Sequence, residues 1–144
     1  MKKFAVGVTC LFGLVFLVLM ILFPKEKPNS QLCEVTQVTS GDSLTLNCDN
    51  QTRQLRLCGV VISGNQAEAK RVIASLAENK SVSAVFSGNT AEIFVPGSEE
   101  EKMLSEELLV KGLAKFNVQD NCPNSDTLKI AEQMAKEKLL GVWK

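Results

Sequence analysis

Arg56 is the first residue able to do chemistry. It stands in QLRLCGVVISG, residues 54–64, which reads as a strand running into a loop. Enzymes often hang reactive carboxylates at such a place, and an arginine beside them can hold a phosphate or another anion. This stretch instead continues Val60, Val61, Ile62, Ser63, Gly64. The other reactive side chains are Cys33, Cys48, Cys58 and Cys122. An even number suits two disulfides in an oxidising compartment; four buried free thiols are the alternative. The chain has no histidine, which removes the commonest general base and zinc ligand.

Charge narrows the partners. Residues 33–144 carry 12 Lys and Arg against 15 Asp and Glu, a net charge of −3. That lacks the basic face usual in nucleic-acid binders. Glu99-Glu100-Glu101 reads as the solvated first turn of a helix. Lys136-Glu137-Lys138 reads as an exposed helix face, and Trp143 as core packing where the chain's end docks.

The elements that must position these residues follow from periodicity. Phe4 to Phe23 is a run of 20 residues without charge, about the length needed to cross a bilayer core. Residues 1–24 are expected to be a single-pass membrane anchor and 25–32 a linker. Lys2 and Lys3 place the N-terminus inside and the domain, residues 33–144, on the extracytoplasmic side; Lys25 and Lys27 pull the other way. The alternative is a signal peptide and a secreted or periplasmic product. Cys10, inside the run, reads as a buried thiol.

Cys33–Thr39, Asp42–Cys48 and Arg53–Val61 read as three strands joined by turns at Ser40-Gly41 and Asp49-Asn50. Asn65, with Glu68 three residues on, caps a helix carrying Ala69, Val72, Ile73 and Leu76 on one stripe. Ser81–Phe86 and Ala91–Val95 are strands. Ser98 with Glu101 spells a second capping box, before a helix with Leu104, Leu108 and Leu109 that stops at Gly112. The last helix spans residues 126–140, with Ile130, Ala131, Met134 and Ala135 inward and Gly141 as its stop. Five strands with a helix between the third and fourth predict an α+β fold, an OB barrel with three helices.

With these elements placed, VTSGDSLTL (38–46), LRLCGV (55–60), LLVKGLAK (108–115) and AEQMAKEKLLGVW (131–143) resemble the staphylococcal-nuclease-like, or thermonuclease, family. They occur in order and cover nearly all of residues 33–144. NCP at 121–123 resembles bacterial members. The resemblance implies phosphodiester hydrolysis with calcium, which needs converging carboxylates, a glutamate to orient water and two arginines to stabilise phosphoryl charge. It places Asp42 as a metal ligand and Arg56 as one clamp. The second aspartate falls on Val61, the glutamate on Gly64 and the second arginine on Asn89. Three of the five chemical positions are therefore non-functional types. Glu34, Asp49 and Glu92 are the nearby acids, and nothing in the sequence places them at the metal.

The resemblance thus predicts a catalytically degenerate, membrane-anchored module that binds a protein, peptide or nucleic acid, without a cofactor. The alternatives are a divergent calcium-dependent nuclease and an envelope assembly subunit. Asp42 also reads as a turn cap, and Arg56 as its ion-pair partner across the hairpin. A turn at Ser40-Gly41 sets opposite residues to sum to 81, which puts Cys33 across from Cys48. Of three possible connectivities, the expected one is Cys33–Cys48 with Cys58–Cys122, the latter two being positions where bacterial members also carry cysteine.

Overall fold

The alternation of apolar residues in the first two strands is what curls them. Cys33, Val35 and Val38 turn inward on β1 (Ser30–Val38), and Leu44, Leu46 and Cys48 on β2 (Ser43–Cys48). One buried face per strand is what an antiparallel sheet needs to wrap a core. A computed structural model describes residues 29–144. The expected membrane anchor and most of the linker lie outside them. No helix among the described residues is long and apolar enough to cross a membrane.

β3 (Gln51–Leu57), β4 (Val60–Ile62), β5 (Ser81–Ser87), β6 (Thr90–Val95), β7 (Lys102–Met103) and β8 (Ala114–Phe116) complete the strands. The main sheet runs β3-β2-β1-β5-β6-β7 and closes where β3 meets β6 in parallel. Closure makes a five-stranded barrel from β1, β2, β3, β5 and β6, and barrels remove most of the edges that open sheets expose. β4 and β8 form a separate two-stranded ribbon. Three helices surround the barrel: α1 (Gln66–Ala77), α2 (Leu104–Val110) and α3 (Ser125–Glu137). Leu44, Leu46, Leu57, Ile73, Ile93, Leu104 and Leu108 are fully buried in the common core.

α1 starts as its sequence says. Asn65 Oδ1 accepts from the Glu68 N–H at 3.1 Å, satisfying one of the helix's free donors. Ala69, Ile73 and Ala77 form its buried stripe. Beyond its end, Glu78 Oε1 accepts from the Val38 N–H at 3.1 Å, and the Asn79 N–H bonds the Val35 carbonyl at 2.7 Å. The helix is thereby fixed to β1.

Four expectations need correction. The third strand is interrupted at Cys58-Gly59, where Gly59 takes φ +78. Ser98 and Glu101 cap nothing: α2 begins only at Leu104, because Lys102 and Met103 pair with Val95 and Phe94 of β6. The run Glu99-Glu100-Glu101 is accordingly loop and not helix. On α3 the buried residues are Leu128, Ala131 and Ala135, whereas Ile130 is 63% and Met134 43% exposed.

Candidate functional site

Both expected disulfides are present: Cys33–Cys48 and Cys58–Cys122. The first arises differently from the expected register. Near the turn, Val38 faces Leu44 and Gln37 faces Thr45, one step off. The Ser43 carbonyl takes N–H groups from both Thr39 and Ser40, at 2.9 and 3.1 Å, so the turn is longer than a Ser40-Gly41 pair. A β-bulge between Val35 and Gln37 then restores the register, and Glu34 faces Asn47. Cys33 and Cys48 stand opposite with 4.4 Å between Cα atoms, a normal cross-strand spacing.

Asp42 and Arg56 are brought together by the β2–β3 ladder, in which Ser43 opposes Arg56. Arg56 Nε lies 3.6 Å from Asp42 Oδ2. Asp42 Oδ1 accepts from the hydroxyls of Ser40 at 2.9 Å and Ser43 at 3.1 Å. The carboxylate thus organises its turn through two neighbouring hydroxyls and not through its own backbone amide. Arg56 Nη2 donates to the Val60 carbonyl at 3.4 Å, and the Arg56 N–H to the Asn89 carbonyl at 3.4 Å. The guanidinium is 45% exposed and the carboxylate 19%, so the pair sits at a surface rim.

The three apolar or neutral positions, Val61, Gly64 and Asn89, bring no charged side chain to this pair. Val61 is exposed on β4, opposite Lys115 of β8. Gly64 lies beneath the C-terminal turn Gly141–Trp143: a Cβ there would meet Val142 Cγ1 at 3.1 Å. Asn89 is exposed in the turn between β5 and β6. Of the neighbouring acids, Asp49 and Glu92 are engaged in other hydrogen bonds. Asp49 accepts from Gln31 Nε2 at 2.7 Å, and Glu34 is exposed on β1. Glu92 is completely buried and takes two hydrogen bonds from Asn124, one from its N–H at 2.7 Å and one from Nδ2 at 2.6 Å.

Sequence reasoning passed over the group that fastens the site's outer side. Asp120 Oδ2 accepts from the Gly59 N–H at 2.9 Å, and Ser105 Oγ donates to the Cys58 carbonyl at 2.7 Å. The Ser105 bond ties α2 to the end of β3, while Asp120–Gly59, the Cys58–Cys122 bridge and Glu92–Asn124 fix the loop before α3 to the barrel. A lone carboxylate within the apolar run Ala91–Val95 was the one visible signal, since an acid inside a buried strand needs donors to survive there.

Trp143 is half-buried and forms no part of the central core. Lys115 Nζ and Lys136 Nζ lie over its ring, 5.0 and 4.5 Å from the centroid. Lys136, expected on a solvated face, also bonds Glu132 Oε2 at 2.7 Å. Glu132 Oε1 accepts from the Phe116 N–H at 2.9 Å. Burial acts to raise the Glu132 pKa, but the bonds from Lys136 and Phe116 and the charges of Lys136 and Lys115 outweigh it. The carboxyl therefore sits below its usual range. A depressed folded-state pKa stabilises the fold above the unfolded value and stops doing so as pH falls through the folded one. Glu132→Gln is expected to cost about 1 kcal/mol at neutral pH. The gap to wild type should close below about pH 4, as read by urea unfolding across pH; a gap independent of pH would remove the charge from the explanation.

The fit to calcium can be judged from the donors. The ion takes about 6–8 oxygens and draws on charged ones for affinity. Asp42 is the single carboxylate at this rim, and it is occupied by Arg56, Ser40 and Ser43. Among the described residues, no three His, Cys, Asp or Glu side chains gather in a way that could hold a metal. The residues present do not fit the ion.

Comparison with known proteins agrees with the barrel. The model of the staphylococcal nuclease homologue family matches residues 62–144. The matched span includes Gly64 and Asn89 but begins after Asp42 and Arg56. A search of curated proteins gave no match. With the family model covering more than half of its length, the chain belongs to the staphylococcal nuclease homologue family.

Proposed function

We propose that this domain is a catalytically degenerate member of its family, held at a membrane by residues 4–23 and used as a binding module on the extracytoplasmic side. The observation that carries the reading is the Asp42–Arg56 pair. The carboxylate expected to hold a metal and the arginine expected to hold phosphate neutralise each other at 3.6 Å. Val61 and Gly64, where the resemblance puts a second ligand and the catalytic glutamate, supply no oxygen from their side chains. Loss of one transition-state donor can cost ~10²–10³ in rate, and here several are missing together. Two disulfides support an oxidising location, and the uncharged run Phe4–Phe23 supports the anchor.

The test uses the full chain in detergent with single-stranded DNA and RNA and millimolar calcium. The expected result is no cleavage and no calcium heat by calorimetry. Calcium-dependent cleavage that disappears in Arg56→Ala would overturn the reading in favour of a divergent nuclease.

A further inference from the structure

β3 is open along most of one side. β2 pairs with it from Gln51 to Arg56, but β6 meets only Arg56 and Leu57. Among the described residues nothing else pairs with it. The turn before it consists of Asp49 and Asn50, both with positive φ (52 and 63), a two-residue hairpin that sets Cys48 opposite Gln51. In an antiparallel ladder successive residues address opposite sides. Gln51, Arg53 and Leu55 therefore bond toward β2, while Thr52, Gln54 and Arg56 point away. Arg56 shows the alternation, since its N–H goes to the Asn89 carbonyl. The N–H and C=O groups of Thr52 and Gln54 face outward at strand spacing, and both residues are exposed.

Proteins normally blunt such an edge with proline, a bulge or charge. β3 has no proline, its register with β2 is unbroken, and its only charges are the arginines Arg53 and Arg56, which oppose basic strands but not acidic ones. We propose that this edge takes an extended acidic peptide as an added strand. Main-chain hydrogen bonds would supply binding and alternate side chains selectivity. The acidic character follows from Arg53. Its guanidinium stands 5.4 Å over the Phe86 ring, and it joins none of the ion pairs among the described residues. A second copy fits poorly: pairing Thr52 with Gln54 across a two-fold axis sets Arg53 against the same arginine of the other copy, which repels. The inference names a partner for the binding role proposed above, but it does not require loss of catalysis, which the calcium assay tests separately.

The probe is an acetylated, amidated heptapeptide, Ser-Thr-Val-Glu-Val-Thr-Ser, titrated into the full chain in detergent micelles while amide exchange is followed by NMR. Thr52 and Gln54 are expected to exchange fast in the free protein and to slow on addition of peptide. With glutamate opposite Arg53, the flanking valines form the hydrogen bonds. N-methylation of both valines should abolish the effect, whereas N-methylation of the glutamate should preserve it. Glutamate-to-lysine exchange in the peptide should weaken binding about tenfold. Gln54→Pro should remove binding without unfolding the barrel, because an outward N–H on an edge tolerates proline. The peptide variants keep the test sound if that substitution does not fold. Slow exchange at Thr52 and Gln54 without peptide, no slowing at millimolar peptide, or equal binding by the valine-methylated peptide would each overturn the proposal.

Discussion

Gly141→Ala is expected to lower the domain's stability by about 4 kcal/mol, a large part of the ~5–15 kcal/mol that a folded domain has. Gly141 has φ +53, and a Cβ on it would lie 2.0 Å from the Gly112 carbonyl oxygen. Gly112 mirrors it, with φ +66 and a Cβ that would lie 2.2 Å from the Leu140 oxygen. The two glycines meet backbone to backbone, and the Val142 N–H bonds the Gly112 carbonyl at 2.9 Å. A left-handed conformation costs a non-glycine residue about 1–3 kcal/mol. Overpacking against backbone that cannot move aside adds roughly the same. Gly88→Ala separates these contributions. Its φ is +59, but nothing lies within 4 Å of the added Cβ, so only the backbone cost of about 1–2 kcal/mol should appear. Urea unfolding should show the midpoint of Gly141→Ala falling well below that of Gly88→Ala, at equal slope. Equal midpoints would mean that the C-terminal turn is not held tightly against α2.

The second large effect concerns the bridge between Cys58 and Cys122. It closes a loop of 64 residues, against 15 for Cys33–Cys48. By the loop-closure model, removing the larger bridge costs about 4 kcal/mol and the smaller about 3. The larger one also joins the strand of Arg56 to the loop before α3. That loop keeps Asp120 on Gly59 and Asn124 on Glu92 when the bridge is gone. The Cys58→Ala, Cys122→Ala double variant should therefore fold with reduced stability, and its loss should exceed that of Cys33→Ala with Cys48→Ala. Alanine is the appropriate replacement, because it adds no polar group to these buried positions. Should the 33/48 variant prove the weaker, loop size is not what governs the contribution of either bridge.

The local signals that survived into the structure are those satisfied within a few residues. Asn65 caps α1 because donor and acceptor are three positions apart, and Asp42 meets Arg56 because one short hairpin sets both. The misread elements were decided by distant partners. Ser98 and Glu101 have a capping pattern, yet β6 draws Lys102 and Met103 into strand pairing and delays the helix. The rotation of α3 is set by Glu132, whose carboxylate is held at the Phe116 N–H, and by alanines 131 and 135, which allow close approach. Ile130 and Met134 are then left outside although they are the larger apolar residues. The pairing of Cys33 with Cys48 was legible only because a longer turn and a bulge offset each other, and neither leaves a clear mark in the sequence.

The exposed acidic segment, residues 98–101, lies between Cys58 and Cys122 in the chain. A protease that cut there would produce two polypeptides still joined by one sulfur–sulfur bond. They would migrate as a single species until reduced. In an oxidising compartment such a nick would remove no part of the barrel, and the C-terminal piece, with α2, α3 and Trp143, would stay covalently attached to the strand that carries Arg56.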